Sequence, residues 1–82
     1  MTRELADVDD VLADLPPSAK YVYHVLREAD DERLSRHELL EETGLPERTL
    51  DEALNRCNSR GLLFLSRNPE DLRQTVATLA VD

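Results

Sequence analysis

The sequence holds two glycines, Gly44 and Gly61, and each stands where a helical spacing of apolar residues breaks off. Glycine enters the left-handed backbone conformation without the steric penalty other residues meet, which makes it a natural helix stop. Upstream of the first stop, Ser35-Arg36-His37-Glu38 has the form of a capping box. The serine hydroxyl can accept from the Glu38 amide while the glutamate reaches back to the serine amide. The chain is therefore predicted to start a helix at Ser35, bury Leu39 and Leu40, and stop at Gly44. Leu45-Pro46 then turns it into a longer helix over residues 47–60, with Leu50, Ala53, Leu54 and Cys57 inward at helical spacing. A short capped helix, a tight glycine turn and a longer helix make a helix-turn-helix over residues 35–60.

The flanking segments supply a core and a hairpin. Leu5, Val8, Val11, Leu12 and Leu15 form one stripe of a predicted helix over residues 2–15, whose other face carries Glu4, Asp7, Asp9, Asp10 and Asp14. Pro16-Pro17 ends it, and Pro17 opens a second helix that runs to about residue 29 with Ala19, Val22, Tyr23, Val25, Leu26 and Ala29 inward. Asp30-Asp31-Glu32 reads as a solvated turn, and Arg33-Leu34 as a short extended stretch with Leu34 pointing into the core. Beyond Gly61, Leu62-Leu63-Phe64-Leu65 reads as a short buried strand, too brief for a helix. Asn68-Pro69-Glu70-Asp71 is turn chemistry, and residues 73–81 form a second strand with Thr75, Ala77, Leu79 and Val81 on one face. The expected fold is mainly α with a small β hairpin: an acidic amphipathic helix over 1–15, then a three-helix core plus wing over 16–82.

The 82 residues suit one small core, and chains of this size are marginally stable without added support. A lone cysteine, Cys57, rules out an internal disulfide and follows the core periodicity of its helix, so packing is its expected role. With no apolar run of membrane-spanning length and an acidic N-terminus, the chain is expected to be soluble and cytoplasmic. His24 and His37 have no clustered partners at zinc-ligand spacing, and no phosphate loop, nucleophile motif or catalytic dyad is present. No metal, cofactor or enzymatic activity is expected.

Residues 35–79, with the preceding helix from Pro17, resemble the winged helix-turn-helix of MarR-like and TrmB-like archaeal transcription regulators. The resemblance implies a double-stranded DNA partner, with the second helix in the major groove and the wing on the minor groove or backbone. Arg48 and Thr49 then stand on the first turn of the recognition helix, followed outward by Glu52, Asn55 and Arg56. Arginine suits guanine, asparagine suits adenine, and glutamate accepts from the cytosine amino group. The bland reading of the same five residues is a solvated helix face. MarR-like wings often contain an aspartate that braces an arginine two residues on. Asp71-Leu72-Arg73 stands at that point, which makes Asp71 the brace and Arg73 a groove or phosphate contact, with Arg67 across the hairpin. A surface ion pair is the alternative for both arginines. MarR-like chains are longer and form homodimers through helices at both ends. Here the stripe Leu5, Val8, Val11, Leu12 and Leu15 is the candidate seam, and packing on its own domain is the equal alternative.

The formal charge of −8 argues against a polyanionic partner. Its distribution weakens the objection: residues 1–32 carry three basic and nine acidic side chains, residues 33–73 seven and eight. Nine of the ten basic residues are arginine and acids are spread along the chain, a pattern similar to proteins of salt-in halophilic archaea. In such salt a basic surface is of little use, since three phosphate contacts lose roughly 500-fold in affinity per tenfold rise in salt. The competing reading is a winged helix that docks a protein of the transcription or replication machinery, favoured by Glu47, Asp51 and Glu52 on or beside the recognition helix.

Overall fold

The computed structural model describes residues 11–68 and 70–80, without the side chains of Asn68, Asp71, Leu72 and Arg73. Leu5, Val8 and Val81 lie outside the described residues. Helix α1 (Pro17–Glu28) begins with proline in its first turn, where the missing amide would have had no intrahelical partner. It buries Ala19, Val22, Tyr23 and Leu26, the i, i+3, i+4, i+7 stripe read from the sequence. A single turn of 3₁₀ helix (Asp30–Glu32) leads into β1 (Arg33–Ser35), then α2 (Arg36–Thr43) and α3 (Glu47–Ser59) follow. Strands β2 (Leu63–Asn68) and β3 (Asp71–Leu79) close the chain.

The short extended stretch at Arg33 is a true strand, so the wing belongs to a three-stranded antiparallel sheet of order β1-β3-β2. Leu34, Ala77 and Leu65 lie in one row across it, and all three belong to or pack against the core. Successive strand residues point to opposite faces. The neighbouring row, Arg33, Thr78 and Phe64, therefore lies on the other side.

That alternation corrects one expectation. Phe64 is 63 % exposed, whereas Leu62 and Leu63 are buried. A run of four apolar residues suggests burial on both faces, but β2 is an edge strand with one face on the helices. Val76 departs in the opposite sense, being buried although Thr75, Ala77 and Leu79 were expected to form the inward face. It lies on the central strand, between Ser35 and Ser66 of the two neighbours.

Helices α1 and α3 pack on each other and α3 leans on β2. The core joins Leu26, Leu39, Leu50, Cys57 and Leu63, all essentially inaccessible to solvent. Burying each of those leucines contributes about 2 kcal/mol. Among the described residues no charged side chain is buried. Leu15 is buried and Val11 and Leu12 pack against the same core, so this end of the N-terminal stripe covers its own domain.

Candidate nucleic-acid interface

Helix α2, which leads into the turn before α3, is fixed at both ends by local hydrogen bonds. The Glu38 amide donates to Ser35 Oγ at 3.1 Å and the Ser35 amide to Glu38 Oε1 at 2.9 Å, so the capping box is complete. At the other end Gly44 adopts φ 69°, ψ 11°, and its amide donates to the Leu40 carbonyl at 3.0 Å. Thr43 reinforces the turn. Its hydroxyl donates to the Leu39 carbonyl at 2.7 Å and accepts from the Leu45 amide at 3.2 Å. Leu45, half-buried against the core, anchors the start of α3.

Helix α3 buries Leu50, Ala53, Leu54 and Cys57. At 3.6 residues per turn, the side directly opposite carries Arg48, Glu52, Asn55 and Ser59. All four are exposed, Arg48 with 91 % of its side chain accessible and Glu52 with 69 %. Arg56, also exposed, lies on one flank beside Thr49, which is half-buried rather than fully outward. Arg48 Nε and Glu52 Oε2 are 4.0 Å apart, one turn along the helix, a contact too long and too exposed to hold either side chain in place. A groove of about 420 Å³ runs beside this face, lined by Leu15, Glu52, Asn55, Arg56, Ser59 and Arg60. Arg60 Nη1 approaches Asp14 Oδ2 at 3.9 Å across its edge.

The other flank holds a contact that sequence reasoning missed. Arg36, the first residue of α2, donates from Nε to Asp51 Oδ1 at 2.8 Å and from Nη2 to Asp51 Oδ2 at 3.1 Å. The same Nη2 also donates to Glu47 Oε1 at 3.1 Å. Fork-to-fork geometry of this kind is the strong form of an arginine–carboxylate pair. Hydrogen bonds from Arg36 pull the Asp51 carboxyl below its ordinary pKa. Conversely, Asp51 first and Glu47 second make the guanidinium hold its proton still more tightly. The available signal was two carboxylates four apart on one flank of α3 and an arginine at the first position of the preceding helix.

In the wing, β2 and β3 pair regularly from Leu63↔Leu79 to Arg67↔Thr75, after which the register shifts and Asn68 faces Asp71. The shift passes over residues 72–74 of β3, a bulge in the wing. Arg67 is exposed near this tip, opposite Thr75 rather than Arg73. Backbone placement puts Asp71 and Arg73 at the start of β3, but the brace between their side chains lies outside what the structure describes.

The architecture has known counterparts. The fold is that of the MarR-family regulators. AbsC, a MarR family transcriptional regulator from Streptomyces coelicolor, matches with a TM-score of 0.74 at 19 % identity over 92 % of this chain and 49 % of its own. Sco3205, a MarR family transcriptional regulator from the same organism solved in complex with DNA, matches with a TM-score of 0.76 at 25 % identity, covering 90 % of this chain and 48 % of its own. A mutant MarR from E. coli complexed with operator DNA matches with a TM-score of 0.70 at 22 % identity, covering 90 % of this chain and 53 % of its own. The chain thus spans about half the length of these structures. No family model matches the sequence, and no curated protein matches it.

The remaining reactive groups are used in packing or lie in solvent. Cys57 is buried, its Sγ 3.6 Å from the Ala19 carbonyl, and burial pushes its thiol pKa up to about 11. That is the opposite of what a redox-active thiolate needs. His24 and His37 lie 3.3 Å from Glu28 and Glu41 respectively, each pair exposed on its helix. Among the described residues no group of histidine, cysteine and carboxylate side chains is placed to hold a metal ion, and no helix is long and apolar enough to cross a membrane.

Proposed function

We propose that this chain is a DNA-binding transcription regulator that inserts α3 into the major groove and lays its wing on the adjacent backbone or minor groove. The observation that carries the reading is the exposed face of α3. It presents Arg48, Glu52, Asn55 and Arg56 on the second helix of a helix-turn-helix whose first helix is capped at both ends, in a fold shared with regulators solved on DNA. Arg48 and Asn55 are the best suited to read base edges, arginine by donating twice to guanine and asparagine by donating to adenine N7 and accepting from its amino group. Arg56 on the flank and Thr49 on the first turn suit phosphate contacts, as do Arg67 and Arg73 on the wing. Asp71 would orient Arg73. Glu52 serves as an acceptor for the cytosine amino group.

The protein-docking alternative loses part of its motive, because two of the three carboxylates that favoured it, Glu47 and Asp51, are bound by Arg36. It retains one favourable observation, the exposed Phe64. Homodimerisation through the N-terminal stripe reduces to Leu5 and Val8, since Val11, Leu12 and Leu15 are packed on their own domain. The deciding test is binding to native genomic fragments in molar potassium chloride, for the natural protein and for Arg48→Ala combined with Arg73→Ala. Selective capture of fragments by the natural protein, lost in the double variant, supports DNA reading. Capture of no fragment above background by either overturns it and leaves the protein-docking reading in front.

A further inference from the structure

Helix α3 carries three acids, Glu47, Asp51 and Glu52, and two bases, Arg48 and Arg56, so by its own sequence it is a net anion. A recognition helix with that balance meets a phosphate-lined groove at a disadvantage. Its acids are not equivalent, however. Glu52 stands on the outermost face, while Glu47 and Asp51 stand on the flank next to α2 and converge on one guanidinium. We propose that Arg36 is a positioning residue of the interface: it masks the Glu47 and Asp51 carboxylates from DNA phosphates and fixes the flank of α3 against α2. The proposal rests on the DNA-binding reading above and names the residue that makes an acidic recognition helix compatible with it.

Three observations support a masking role over a chance surface contact. Arg36 makes three hydrogen bonds, between 2.8 and 3.1 Å, to two different acids. Its side chain is only 32 % exposed, less than Glu47 at 73 % or Asp51 at 49 %, so the cation is the inner partner and the acids the outer ones. The outer position matters, because released acids would face solvent, and bound DNA, rather than protein. Finally, Arg36 directly follows the Ser35 cap. Its backbone is therefore held by the capping box, and little further ordering is needed to form the clamp.

Masking and simple bracing predict different salt behaviour. Repulsion between released carboxylates and phosphates is felt where the screening length is about 10 Å, near 0.1 M salt, and is largely gone where it is about 3 Å, near 1 M. A misplaced helix, by contrast, loses affinity equally at both. The experiment compares natural protein, Arg36→Met, and Arg36→Met combined with Glu47→Gln and Asp51→Asn, all on a fragment selected by the natural protein. The affinity loss for Arg36→Met is expected to be about tenfold near 0.1 M salt and to shrink to about twofold near 1 M as screening removes the repulsion. The triple variant, which has no carboxylates to mask, should recover to within about threefold of natural protein at both salts.

A loss that is equal at both salts, or that persists in the triple variant, overturns masking. Natural affinity in Arg36→Met overturns it too. Circular dichroism on each variant separates loss of fold from loss of binding. If Arg36→Met alone is unfolded, Arg36→Lys carries the same comparison: it keeps a cation beside the acids, so masking predicts less than about threefold loss at either salt, and a tenfold loss at both refutes it. Failure of the natural protein to select any fragment removes the DNA-binding reading and the proposal with it. Binding by the natural protein with an equal loss in Arg36→Met and in the triple variant removes only the proposal.

Discussion

Gly44 offers a clean measurement of what a left-handed residue is worth, because the structure separates backbone strain from side-chain collision. The residue holds φ 69° at the end of α2, and a β-carbon built on it meets no heavy atom within 4 Å. Any cost of Gly44→Ala is therefore the intrinsic penalty of an L-residue in this region, about 1–2 kcal/mol. The lower backbone entropy of unfolded alanine returns about 0.5 kcal/mol, leaving a net loss near 1 kcal/mol. For a domain of this size that corresponds to a fall in Tm of about 4–8 °C. Urea unfolding followed by circular dichroism gives the value directly. The discriminating variant is a synthetic chain with D-alanine at position 44, which favours positive φ and carries its methyl group in place of the other α-hydrogen. It should be stabilised by about 0.5–1 kcal/mol relative to glycine. Equal destabilisation by both enantiomers would show that the sign of φ does not set the cost, and neutrality of the L-variant would show that φ at Gly44 relaxes freely. Either result refutes the reasoning.

Three further outcomes are expected. Ser35→Ala removes the acceptor for the Glu38 amide and should cost about 1 kcal/mol in urea unfolding, with Ser35→Asp recovering most of it. Cys57, with a thiol pKa near 11 and no solvent exposure, should react with a thiol reagent at pH 8 only as fast as the domain opens, so labelling should accelerate steeply across the urea transition. Asp51 has its native pKa depressed by Arg36, so the pair stabilises the fold above the ordinary carboxylate range and fades as pH falls through the depressed value. The gap between natural protein and Asp51→Asn, about 0.5 kcal/mol at pH 7 after allowing for solvent screening, should therefore close on acidification.

Much of this fold is written locally. The box at Ser35 and Glu38 needs three residues of separation, and the stops at Gly44 and Gly61 need one residue each. At Gly61 the end is a Schellman turn, in which the Leu62 amide reaches the Cys57 carbonyl and the Gly61 amide the Asn58 carbonyl, both at 3.0 Å. Such features depend on chain neighbours and are legible in order. What was misread depends on distant parts of the chain. Whether Phe64 is covered depends on which sheet face the helices occupy, and on β2 being an edge strand beside β3. Whether Asp51 is a free anion depends on an arginine fifteen residues earlier. The outward residues of α3 were readable from helical periodicity, but their local charge was not, because that is set across the turn.

That distinction bears on how an acidic chain can face DNA at all. Glu28, Asp30, Asp31, Glu38 and Glu42 gather around a cavity of about 870 Å³ formed by α1, β1 and α2, together with Tyr21 and Val25. None of them lines the groove beside α3, where Asn55, Arg56 and Arg60 are found. The screening length is about 8 Å at physiological salt and shorter in concentrated brine. The described residues extend 39 Å along their longest axis. Carboxylates more than a screening length from α3 therefore act weakly at its face, and the formal charge of the whole chain says little about affinity there. Net charge does act at long range at low salt, where it slows the approach of two anions. It follows that association with DNA should become faster as salt rises from low values, the reverse of the usual pattern for a basic DNA-binding protein. On the proposed reading, dissociation depends instead on contacts made after docking, and so on Arg48, Asn55 and the charge left unmasked around Arg36.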